Sequence, residues 1–150
     1  MSVTAHLADI ASIGRDATSG GYSRLAWTDA DLTLREWFTG QAAGLGLDVE
    51  TDRNGNIWAW WGDATAGDVI VTGSHVDSVP DGGNYDGPLG VASALAAVAE
   101  LKDRGVQPRR PLAVACFTDE EGGRFGVACI GSRLAAGVLA PEKARALRDA

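Results

Sequence analysis

Apolar positions along this chain fall into short runs separated by glycine, and the period of the runs changes from one to the next. Leu7, Ile10 and Ala11 recur at helical spacing and predict a short helix over residues 4–14. Gly, Ser and Thr crowd Ala17 to Thr28, which predicts a loop. Thr28 or Asp29 can cap a second helix running to about Ala43, with Leu32, Leu34, Trp37 and Phe38 as its apolar positions. Gly44 and Gly46 end it. Two strands, Leu47 to Asp52 and Ile57 to Trp61, flank Asn54-Gly55, a hairpin signal. Val69 to His75 is nearly all apolar at its start, which predicts a central strand. Pro88 opens a helix that ends near Gly105, and Leu112 to Phe117 is a second buried strand. Helical pieces follow at Ser132–Ala136 and Pro141–Ala150. Strand, helix and strand after residue 69 make a βαβ unit with a parallel pairing. With the hairpin, this predicts an α/β fold: a mixed sheet flanked by helices.

Composition narrows the class. The 150 residues are 45% hydrophobic and 22% charged, the balance of one folded domain. A net charge of −7 disfavours nucleic acid or an anionic membrane as partner. The longest apolar run, Pro88 to Leu101, is too short to span a bilayer. The first residues lack the basic and apolar regions of a signal peptide. Cys116 and Cys129 are too few for a disulfide framework, and Cys116 reads as a buried free thiol. A cytoplasmic protein is the expectation. Trp58 and Trp60 share one strand face and read as packing residues rather than a substrate platform.

Two clusters carry the chemistry. Gly73-Ser74-His75-Val76-Asp77 leaves a strand and runs through Gly82-Gly83-Asn84-Tyr85-Asp86-Gly87-Pro88 into a helix. Thr118-Asp119-Glu120-Glu121-Gly122-Gly123 follows the next strand. His75 and Asp77, at i and i+2, can face the same way, so Asp77 can accept a hydrogen bond from the ring nitrogen that a metal leaves free. Asp86 sits where glycines allow close backbone approach. Glu120 and Glu121 diverge, so one can bind a cation while the other takes a proton. Singly, each has a plainer reading: a satisfied core histidine, a helix cap, a solvated acidic turn. Together, at two strand ends, they predict a metal site.

These two stretches resemble the M20 family of metallohydrolases. The Tyr85-Asp86-Gly87 wording is most similar to its amidohydrolase branch: N-carbamoyl-L-amino acid hydrolases, allantoate amidohydrolases and β-ureidopropionases. Ser23-Arg24-Leu25-Ala26-Trp27 and Asp52-Arg53-Asn54-Gly55-Asn56 resemble that branch too. The resemblance implies two divalent ions, Zn²⁺ or Mn²⁺, with Co²⁺ or Ni²⁺ compatible. It implies that His75 binds one, Asp86 bridges both, Glu121 binds the other, Glu120 is the general base and Asp77 supports His75. It further implies hydrolysis of a linear amide C–N bond in a small molecule, an N-carbamoyl amino acid or a ureido acid such as allantoate, by a homodimer. An M20 peptidase or aminoacylase is the rival within the family. Family members complete the metal pair with further ligands downstream, usually histidines, whereas the only histidines here are His6 and His75. Residues 1–150 are therefore expected to form the N-terminal part of the catalytic domain, without the dimerisation domain or the rest of the sheet. That makes the chain a fragment or a truncated, non-catalytic product, inactive on its own.

Overall fold

The computed structural model describes residues 1–149. Helix α1 (Val3–Asp9) starts at Ser2, whose hydroxyl accepts the Ala5 N–H at 3.2 Å. It stops short of the expected Gly14. The carbonyls of Ile10 and Ile13 turn instead to the buried Arg24 guanidinium, each at 2.9 Å. Helix α2 (Asp29–Gly44) carries Asp29 and Asp31 in its first turn, where the helix dipole favours them.

Strands β1 (Asp48–Thr51) and β2 (Ile57–Trp61) form the antiparallel hairpin. Its turn is longer than two residues. The Asp52 carbonyl accepts the Gly55 N–H and the Asp52 N–H donates to Asn56, with Gly55 alone at a φ of 84°. The Asp52 carboxylate accepts the Asn54 N–H at 2.8 Å and completes the turn.

Strand β3 (Ile70–His75), helix α3 (Pro88–Asp103) and strand β4 (Leu112–Phe117) make the βαβ unit, with β3 and β4 parallel. Short helices α4 (Ile130–Ala135) and α5 (Pro141–Arg145) follow. The helix expected to Ala150 thus ends early, and Ala150 lies outside the described residues.

The strand order is β1-β2-β4-β3. This corrects the expectation for Val69 to His75. Among the described residues β2 and β4 are the inner strands and β3 lies at an edge, with residues 70–73 exposed. An apolar run reads as a central strand only if its burial is on both faces, and here the hairpin strand β2 takes the place beside β4. Helices α2 and α3 cover one sheet face, and α1 packs against α3. Leu34 and Phe38 of α2 and Leu95 and Val98 of α3 close over Ile57, Val114 and Cys116. Each such buried side chain contributes about 1.5–3 kcal/mol, which fixes α3 against the sheet. On the other face the Trp58 and Trp60 rings stack at 6.1 Å and 18°, opposite Ala115 and Ala113. Their indole N–H groups donate to Asp52 and Glu50. No helix among the described residues is long and apolar enough to cross a membrane.

Candidate metal centre

Parallel pairing brings the two chemical clusters together. His75, the last residue of β3, pairs with Phe117, the last of β4, so the chain leaves both strands at the same end. A crevice outside the carboxyl ends of adjacent strands is where such folds place their ligands.

His75 is buried. Its Nδ1 lies 3.0 Å from the Asp77 carbonyl oxygen, which can only accept. In the neutral ring the proton therefore sits on Nδ1, which leaves the Nε2 lone pair free. Nε2 faces Glu120 Oε2 at 3.5 Å and Asp86 Oδ1 at 3.9 Å. Burial works against the imidazolium, but Asp77 and then Glu120 outweigh it, so the His75 pKa lies above its ordinary value. Gly87 makes this approach possible. Its φ is 80°, and a Cβ there would stand 2.6 Å from the His75 ring.

Asp77 meets His75 differently from the expectation, because the ring nitrogen donates to its backbone carbonyl rather than to its carboxylate. Its carboxylate is 3.4 Å from His75 Nδ1, farther than its own backbone carbonyl. Oδ1 also accepts the Glu120 N–H at 3.2 Å, and Oδ2 the Glu121 N–H at 3.1 Å. One buried carboxylate thus joins the loop after β3 to the loop after β4.

His75, Asp86 and Glu121 each offer one ligand atom, and the three atoms lie within 4.8 Å of one another. The plainer readings of the carboxylates do not hold. The N-cap of α3 is Gly87, so Asp86 precedes the cap and makes no capping bond. Glu121 Oε1 is buried without a hydrogen-bond partner, so the Glu121 end of the acidic pair is not solvated. Burial first, and then the Asp86 charge, raise the Glu121 pKa, with His75 opposing and Glu120 adding. An imidazole, two carboxylates and an orphaned oxygen fit a divalent cation that accepts nitrogen and oxygen donors. Among the described residues this is the one such cluster of three.

Supporting residues escaped the sequence reading. Cys129 Sγ lies 3.3 Å from Glu120 Oε1. Asn56 is fully buried and accepts the Thr118 N–H while donating to the Asp52 carboxylate and the Gly131 carbonyl. Arg35 donates to Thr118 Oγ1 at 3.1 Å and to the Gly55 carbonyl. Asp31 and Asp119 are both buried, and burial pushes each carboxyl up to about 6. Their only signal in the sequence is acid beside apolar residues, which is common on surfaces. Cys116 proves to be the buried thiol expected, pushed by burial up to about 12.

The chain is also similar to known proteins. A family model described as peptidase family M20/M25/M40 matches residues 71–149. The chain is 43% identical over 135 residues to a ureidoglycolate hydrolase of Oryza sativa subsp. japonica, covering 89% of this chain and 28% of that protein. It is 39% identical over 145 residues to an N-carbamoyl-L-amino acid amidohydrolase of Geobacillus stearothermophilus, covering 96% and 35%. Among solved structures, a hydantoinase/carbamoylase family amidase from Burkholderia ambifaria superposes with a TM-score of 0.92 at 38% identity, covering 99% of this chain and 36% of that one. The chain thus spans 28% to 36% of the length of these relatives.

Proposed function

Since this chain belongs to peptidase family M20/M25/M40, we propose that it is the metal-binding N-terminal part of an amidohydrolase acting on ureido or carbamoyl compounds. The observation that carries this reading is the convergence of His75, Asp86 and Glu121 at the ends of β3 and β4. The relatives act, by their names, on ureidoglycolate and N-carbamoyl-L-amino acids. N-carbamoyl amino acids and allantoate-like ureido acids are accordingly the substrates proposed for the whole protein. Hydrolysis of an N-carbamoyl group consumes one water and releases the amine, carbon dioxide and ammonia.

His75 Nε2, Asp86 and Glu121 would hold the cations, with Asp86 shared between two of them. Zn²⁺ or Mn²⁺ suits these donors. When bound, such ions supply Lewis acidity toward an amide carbonyl and toward water. The chain's own residues do the rest. Asp77 fixes His75 and pins the backbone of both glutamates. Glu120, turned toward the His75 edge, takes the proton from the attacking water and returns it to the leaving nitrogen. The chain contains no downstream histidines to complete the pair, so the 150-residue chain alone is expected to show no appreciable amidase turnover.

The experiment is metal content after dialysis against Zn²⁺ or Mn²⁺, for the chain and for Glu121→Gln and Glu120→Gln. Glu121→Gln should lose metal and Glu120→Gln should keep it. In a longer protein that carries this segment, Glu120→Gln should cut kcat by roughly 10²-fold or more. The reverse pattern of metal loss would exchange the two roles. Turnover of N-carbamoyl amino acids or allantoate by the 150-residue chain, lost in Glu120→Gln, would overturn its proposed inactivity.

A further inference from the structure

We propose that Cys129 is a positioning residue for Glu120, its thiol holding the carboxylate against the metal cluster. The inference rests on the reading of Glu120 as proton carrier. Glu120 lies in a loop beyond β4 with its side chain 35% exposed, and a glutamate so placed ordinarily samples several rotamers. Here each carboxylate oxygen has a neighbour. Cys129 Sγ donates to Oε1 at 3.3 Å, and Oε2 lies 3.5 Å from His75 Nε2. The thiol thus restrains the end of the carboxylate that His75 does not reach.

Backbone geometry shows that residue 129 is placed independently of its side chain. The N–H groups of Cys129, Ile130 and Gly131 donate to the carbonyls of Glu120, Asp119 and Thr118, at 2.6, 3.0 and 2.9 Å. This short ladder fixes the segment whatever stands at 129. Yet Cys129 sits at a φ of 59°, a left-handed conformation that glycine adopts without strain. Glycine would relieve the backbone and remove the donor. The glutamate in turn keeps the proton on sulfur, since its hydrogen bond raises the thiol pKa, with burial adding to the effect.

The test compares the chain with Cys129→Ser and Cys129→Gly by NMR, reading the three-bond couplings that report the Glu120 χ1 rotamer. Wild type and Cys129→Ser, which keeps a donor, should show one rotamer. Cys129→Gly should show rotamer averaging at Glu120, with melting no earlier than wild type and the other backbone amides unmoved. A single Glu120 rotamer in Cys129→Gly overturns the proposal. A second measurement does not need that variant to fold. Iodoacetamide should label Cys129 about tenfold faster in Glu120→Gln than in wild type, because removing the carboxylate frees the thiol proton. Cys116 is buried and serves as the silent control. Equal labelling rates would also overturn the proposal. A parallel Zn²⁺ titration separates the two readings: if Zn²⁺ does not bind, the metal assignment fails while the rotamer comparison still decides the role of Cys129.

Discussion

Asp77 and Asp86 flank the same imidazole and live in opposite surroundings. Asp77 is 2% exposed, takes two backbone N–H groups from the far loop and touches the Nδ1 edge of His75. The Asp86 side chain is 68% exposed, follows a glycine pair and has no hydrogen bond among the described residues. One side of the centre is braced by protein alone. The other is held by nothing but the charge of its neighbours. The braced side fixes the backbone of Glu120 and Glu121, whereas the exposed side leaves the Asp86 carboxylate to solvent.

The largest effect should come from breaking the braced side. Asp77→Ala leaves two N–H groups near His75 without an acceptor, which should lower the unfolding free energy by about 2–5 kcal/mol in urea denaturation. Asp77→Asn, the milder change, should weaken Zn²⁺ binding by about 10–100-fold. A loss under about 1 kcal/mol in Asp77→Ala would mean that the two loops are held together by something else.

Asp86→Asn probes the loose side. Its unfolding free energy should stay within about 0.5 kcal/mol of wild type, because the carboxylate has no partner to lose. Zn²⁺ affinity should still fall about tenfold or more with one charged donor removed. If Asp86→Asn destabilised the chain as much as Asp77→Ala, the contrast between the two sides would collapse.

A smaller change sharpens the picture of the braced side. Asp119 is buried at a φ of 50° with both carboxylate oxygens unpartnered. Burial, with Asp77 and Asp31 adding, raises its pKa from 3.8 to about 6. Between those two values the folded state binds more protons than the unfolded one, so stability falls as pH rises through about 6. Asp119→Asn, which tolerates the left-handed backbone, should stabilise the metal-free chain by roughly 1 kcal/mol at pH 7.5. The gain should vanish at or below about pH 4, and the check is thermal melting at both pH values. A gain that persists in acid would trace to packing rather than charge.

The elements were legible because each rests on local physics. Asn54-Gly55 marks the hairpin, Pro88 opens α3, and period and apolar runs place β2, β3 and β4. The order of strands was not legible. Whether β3 or β4 lies in the centre depends on where β2 pairs, and no residue of β3 records that. His75, Asp86 and Glu121 stood out because their types are costly to gather without a purpose. Asp77 showed as a neighbour of His75, but its hold on the Glu120 and Glu121 backbone is invisible, since any residue offers an N–H. Asp119 showed only as a member of the acidic cluster, and Cys129 only as a lone thiol, because burial and the contact with Glu120 arise from the fold.

The parallel register of β3 and β4 has a consequence for how the protein comes into being. His75 and Glu121 are separated by the whole of α3, so nothing short-range brings them together. Closing a loop of about forty residues is opposed by chain entropy, and it is repaid only when β4 docks beside β3 with α3 packed across them. An unfolded chain therefore keeps only His75 and Asp86 near each other, on the one loop between β3 and α3, and lacks Glu121. The full set of three donors would face an ion only once β4 had docked, so a cation held by all three would act as a latch on the paired strands.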